Sequence, residues 1–166
     1  MRFEIKNIKP LGAVRMTQRG KYIKDNAKRY LNYKSVIYSE VLSQLNGEYK
    51  PIDGAIEVTI LFNMPIPTSW PKEKKWESVD KYCTTKPDVD NLIKGLFDAL
   101  NGLLWVDDNR IVAVHTVKVY SFDPGIEFTV NQIGGLSYGQ AKKKENGKSS
   151  KGEKTRRIRK NISKWI

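Results

Sequence analysis

One cysteine, Cys83, and one histidine, His115, are all that this 166-residue chain offers of the side chains that build zinc sites. A Cys/His zinc centre within one copy is thereby excluded, as is an intramolecular disulfide, and nothing points to an oxidising compartment. Long hydrophobic runs are missing too. The opening stretch MRFEIKNIKP has no uninterrupted apolar segment of the kind a signal peptide needs, and no window approaches a membrane span. The expectation is a cytoplasmic protein with no membrane partner and no small-molecule cofactor. Acidic residues are scarce relative to basic ones: 18 Asp and Glu stand against 30 Lys and Arg, for a formal net charge of +12. That balance points to a polyanionic partner, because clustered cations gain free energy by displacing the counterions condensed on nucleic acid, although a basic membrane-surface protein has the same balance.

The excess charge is not evenly spread. Eleven of the basic side chains and only two acidic ones, Glu145 and Glu153, lie in residues 137–166, so the rest of the chain is nearly balanced. Gly134-Gly135 marks the change. The reading is one domain over 1–135 and a Lys/Arg-rich tail over 136–166 with too little apolar content to fold alone. A tail of that composition acts as a disordered basic arm that raises affinity for any DNA; its ordinary alternative is a solvated terminus.

Within the domain, Phe3 and Ile5 open a short strand, and Pro10, Gly12 and Gly20 punctuate a loop carrying Arg15, Arg19 and Lys21. From Tyr22 to Leu45 apolar residues recur at three- and four-residue spacing, which predicts a long amphipathic helix ended by Asn46-Gly47. Ile56, Val58, Ile60 and Phe62 alternate as a strand with one buried face. Residues 65–87 are rich in Pro, Lys and aromatics and read as a long excursion with a turn of helix. After Pro87, the residues Val89, Leu92, Ile93, Leu96, Phe97 and Leu100 share one helical face, closed by Asn101-Gly102. Residues 111–120 and 126–130 read as two strands joined at Asp123-Pro124-Gly125, expected to pair as a hairpin. The fold class is therefore α+β: a single domain with a small mixed β-sheet packed against two main helices, followed by the basic tail.

Chemistry concentrates around the second helix. Asp88 and Asp90 stand at its start, and Asp107-Asp108 follow it just before a strand. Phosphodiester hydrolysis needs charge stabilisation at the phosphate and a more nucleophilic water, both of which magnesium supplies through a few carboxylates. The apolar segment Leu103-Leu104-Trp105-Val106 would return along the helix and bring the second aspartate pair toward the first. Each piece also has an ordinary use: Asp88 as an N-cap, Asp90 with Lys94 as an i,i+4 ion pair, Asp107-Asp108-Asn109 as turn material. Trp70 and Trp76 are loop anchors or, alternatively, residues that stack on an exposed base, and Trp105 reads as core.

Residues 86–112, KPDVDNLIKGLFDALNGLLWVDDNRIV, resemble the signature of the RusA family of Holliday junction resolvases, in which D-x-D-N-x-x-x-K opens a helix reading F-D-A-L and an aspartate pair precedes a strand. VRMTQRGKY, residues 14–22, more weakly resembles the family's P-R-x-T-x-R segment, with Val14 in place of proline. The resemblance spans about residues 8–131. It implies that Asp88, Asp90 and Asp108 are metal-binding catalytic carboxylates, with Asp107 the alternative to Asp108, that Lys94 is the essential lysine, and that Asn91 and Asp107 support them. It further implies a Mg2+-dependent homodimer that cuts four-way DNA junctions by paired symmetric nicks. Arg15, Arg19, Lys21 and Lys86 are the expected DNA contacts. Two other readings compete with it: a non-enzymatic nucleic-acid-binding protein, and a nuclease acting on other branched substrates.

Overall fold

In a computed structural model of the chain, the described residues are 1–15, 24–45, 47 and 49–134. Arg19, Lys21 and the tail lie outside them. Strand β1 spans Arg2–Lys6, helix α1 Asp25–Gln44, strand β2 Ile56–Pro65, helix α2 Lys72–Ser78, helix α3 Val89–Leu100, strand β3 Ile111–Ser121 and strand β4 Gly125–Gln132, with a 3-10 turn at Asp108–Arg110.

The strands form one mixed sheet in the order β1-β4-β2-β3. β2 pairs in parallel with β3 and antiparallel with β4, which in turn pairs antiparallel with β1. The hairpin expected between β3 and β4 does not form, because β2 lies between them. Its inward residues Ile56, Val58, Ile60, Phe62 and Met64 are all buried, so it gains most from a neighbour on each side. Three connecting residues, 122–124, suffice to cross it, since two strand spacings are only about 10 Å.

Side chains alternate across the sheet. Phe3 and Ile5 of β1, the β2 residues just named, and Ile126, Phe128 and Val130 of β4 make one apolar face, with Phe3 stacked on Phe128 at 5.1 Å. The opposite face carries Arg2, Glu57, Thr59 and Glu127, where Arg2 and Glu127 pair at 3.1 Å. The apolar residues of α1 (Ala27, Tyr30, Tyr33, Ile37, Val41) and of α3 (Leu92, Leu96, Phe97, Leu100) close the core. The excursion is more ordered than its sequence suggests, because α2 makes seven residues of helix and Val79 and Tyr82 bridge to Tyr120 and Val119 on the outer edge of β3. Trp70 anchors it, edge-on to Tyr120 at 5.2 Å, whereas Trp76 is 63% exposed beside Phe122.

Among the described residues, no helix is long and apolar enough to cross a membrane.

Candidate active site

Helix α3 is the spine of the site. Gly95 sits in its middle, where glycine costs about 1 kcal/mol relative to alanine. The reason is a close approach: a Cβ there would lie 2.9 Å from the Leu11 carbonyl oxygen. The segment 10–13 thus lies directly across α3, and the Ala13 N–H donates to the Asn91 carbonyl at 2.9 Å. Arg15, two residues further on, is exposed.

Asp88 occupies the N-cap position with extended backbone, yet its side chain makes no capping hydrogen bond. Asp90 and Lys94, exposed and one turn apart, form no ion pair. The two ordinary uses that spacing suggested for these residues are therefore not taken up.

The loop ahead of Asp88 is held by a residue that sequence reasoning missed. Lys118 points inward from β3, and its Nζ donates to the carbonyls of Thr85 at 2.6 Å and Pro87 at 2.7 Å. A lysine in an apolar strand is a weak signal that some acceptor must meet it, but which acceptor is a tertiary matter. Lys118→Met removes a charged donor from two carbonyls and is expected to cost ~1–3 kcal/mol. Urea denaturation measures it, and a change under about 0.5 kcal/mol would mean that the clamp contributes nothing.

At the other end of α3 the chain returns as expected. Leu103, Leu104 and Trp105 are buried, with Trp105 edge-on to Phe97 at 5.5 Å. The Ile52 N–H donates to the Leu104 carbonyl at 3.0 Å, the Val106 N–H donates to the Ile52 carbonyl at 3.1 Å, and Arg110 pairs with Asp53 at 2.8 Å. These bonds fix the turn that bears the second aspartate pair. The pair then divides its work: Asp107 accepts from the Asn109 N–H at 3.3 Å, serving the turn, while Asp108 opens the 3-10 segment.

Asp108 shares its surroundings with Asp107, Asp98 and Lys94. A hydrogen bond that the protonated Asp108 carboxyl donates to Asp107, slight burial and the negative charges of Asp107 and Asp98 push its carboxyl above the usual range, against the Lys94 ammonium. Asp98 is the other residue missed. It stands four positions after Lys94, as Asp90 stands four before, so the three share one face of α3. The Tyr30 hydroxyl of α1 donates to Asp98 at 3.0 Å, and burial together with Asp98 raises the tyrosine well above its ordinary range. Its signal was present in the 90/94/98 spacing.

A raised carboxyl keeps its proton in the folded chain at pH values where the unfolded chain has lost it. Its contribution to stability is present at low pH and lost as pH climbs through the folded-state midpoint. Without metal, Asp107→Asn is expected to move the Asp108 midpoint down, since the first cause and one repulsive charge are removed. Carboxyl chemical shifts followed against pH read this directly, and an unmoved midpoint would contradict it.

Asp88, Asp90 and Asp108 are hard oxygen donors of the type magnesium accepts, and that ion needs few protein ligands because it keeps several waters. Among the described residues, however, no three His, Cys, Asp or Glu side chains converge closely enough to enclose a metal ion. The donor chemistry fits magnesium; a closed three-carboxylate cage is not formed.

Beside Asp88 runs a groove of about 870 Å³ lined by residues 9–13 and 64–69 together with Lys86, Asp88 and Asn91.

Exposed carboxylates and an exposed lysine on one helix are the groups that metal-assisted phosphodiester cleavage uses. The chain is a member of the RusA endodeoxyribonuclease family, whose sequence pattern matches residues 8–131, about three quarters of its length. Endodeoxyribonuclease activity, metal dependence and action on branched DNA junctions go with that family. The chain is also similar to YqaN of Bacillus subtilis (strain 168), an uncharacterized protein, with 33% identity over 107 residues covering 60% of this chain and 75% of the relative.

Proposed function

We propose that the protein is a magnesium-dependent endodeoxyribonuclease that resolves four-way DNA junctions as a homodimer, by paired symmetric nicks. The observation that carries this reading is that Asp88, Asp90 and Lys94 are spared every structural bond their positions invite, within a chain whose family is nucleolytic. Groups kept out of caps and ion pairs remain available to a ligand.

In this reading Asp88, Asp90 and Asp108 hold magnesium, which when bound supplies charge stabilisation at the phosphate and a more acidic water. Lys94 offsets the charge that builds on the phosphate oxygens. Asp107 and Asn91 hold the backbone on either side, and Asp98 stands on the same helical face as Lys94. Arg15, Arg19, Lys21 and Lys86 bind flanking phosphates, and the basic tail adds salt-dependent affinity. Two copies related by a two-fold axis match the symmetry of the junction. The N-terminal half of β3 offers a surface for the second copy, with exposed Val112, Val114 and Val117 along an edge that no described strand pairs.

The test is to incubate the full chain in Mg2+ with a synthetic four-way junction, a fork, a flap, linear duplex and RNA. Symmetric nicking of the junction in preference to the rest supports the reading. Equal cutting of fork or flap would transfer the activity to other branched substrates, and binding without cutting of any substrate would favour a non-enzymatic role.

A further inference from the structure

We infer that the groove beside Asp88 receives one unpaired nucleotide of the DNA strand, next to the bond that is cut; this rests on the function proposed above. The volume, about 870 Å³, lies within the roughly 300–1,000 Å³ of pockets that enclose a single small ligand and is far too small for a duplex. Its lining is of two kinds. Leu11, Met64, Ile66 and Pro87 give apolar surface suited to a base face, while Lys9 and Lys86 give two cations of the kind that complements phosphate. Thr68 and Ser69, both exposed, also line the groove and carry hydroxyls suited to the edge of a base.

Its position gives the groove a function. Asp88 and Asn91, at the N-terminal turn of α3, are part of its lining, so a nucleotide seated there lies beside that turn. The wall is firm on both sides. The Lys118 ammonium holds the Thr85 and Pro87 carbonyls, and the Ala13–Asn91 hydrogen bond fixes the N-terminal segment against α3. Seating a nucleotide there requires it to leave its stack, which costs a few kcal/mol in a paired duplex and least where the base is already unpaired. A branch point supplies such nucleotides. The groove therefore links the site to branched DNA through the energy of unstacking, with no need to read the arms of the junction.

The experiment uses the full chain and a set of four-way junctions, each with one abasic residue at a different position around the mapped nick. One position is expected to lower kcat/KM at least about tenfold, the scale on which a protein–base contact is felt, while the others change little. Ser69→Trp, made at an exposed rim residue, fills the groove. It is expected to cut the intact junction more slowly and to lose sensitivity to the abasic residue. Equal cleavage of all abasic junctions overturns the inference, as does a Ser69→Trp protein that retains the wild-type pattern. If that variant fails to fold, the abasic series on the wild type decides alone. Absence of any nicking in Mg2+ would instead overturn the parent reading, so the two failures are distinguishable.

Discussion

Asp90→Asn is expected to leave binding of a four-way junction near the wild-type level and to lower nicking in Mg2+ by at least about a hundredfold, the scale of losing one preorganised electrostatic contact to the transition state. The substitution keeps shape and removes one charge. Asp90 is exposed on the first turn of α3 and takes part in no ion pair with Lys94, so stability should change by no more than ~0.5 kcal/mol. A helix N-terminus favours an acidic side chain, which sets the sign of that small loss. Binding measured without divalent metal should hold or tighten, because one negative charge facing phosphate has gone. Fluorescence anisotropy reads the binding, and strand-resolved gels read the nick. Cleavage at near wild-type rate by Asp90→Asn would remove Asp90 from the metal set.

Trp105→Ala is expected to cost ~3–5 kcal/mol of stability, the range for deleting a large buried aromatic side chain. Against a total of roughly 5–15 kcal/mol for a domain, that is a large part. Trp105 is fully buried, meets Phe97 edge-on at 5.5 Å, and its carbonyl accepts from the Gly102 N–H at 2.9 Å. The loss should reach function as well. Asp108 stands three positions after Trp105, and the turn between them is placed by the packing of the return segment. At temperatures where the variant remains folded, nicking should fall while junction affinity changes less, since the residues proposed to bind phosphate are not in the return segment. Urea denaturation measures the first effect, and a loss below about 1 kcal/mol would mean that the return segment packs loosely.

Several features were legible because they depend on neighbours a few residues away. The face of α3 is written in the spacing of Leu92, Leu96 and Leu100, its end in Asn101-Gly102, and the return in Leu103-Leu104-Trp105. The run from Asp88 to Asp108 is specific enough as an ordered pattern to point to a family, although each aspartate alone had an ordinary explanation. Other features were hidden for the opposite reason. That β3 and β4 flank β2 rather than pairing depends on which strand gains most from two neighbours, a competition among segments far apart in the chain. Short connections usually signal a hairpin, and here the same three residues cross a strand.

Lys118 and Asp98 show the same division at the level of the site. Lys118 reads as one polar interruption of a β-branched run, and only the fold brings the Thr85 and Pro87 carbonyls, more than thirty positions earlier, to its ammonium. Asp98 reads as the aspartate of an apolar helix, and only the packing of α1 against α3 supplies Tyr30 to hold it. What the sequence determined by itself was the set of elements, the order of the acidic residues along α3 and beyond it, and the split between a balanced domain and a basic tail. Periodicity, helix ends and charge are local properties that a linear chain displays directly. What only the tertiary structure decided was the order of the strands, which aspartate of the 107–108 pair is used up in its turn, and how the loop before Asp88 is held. Those depend on contacts whose free energy arises when distant segments exclude water together, and no spacing along the chain encodes it.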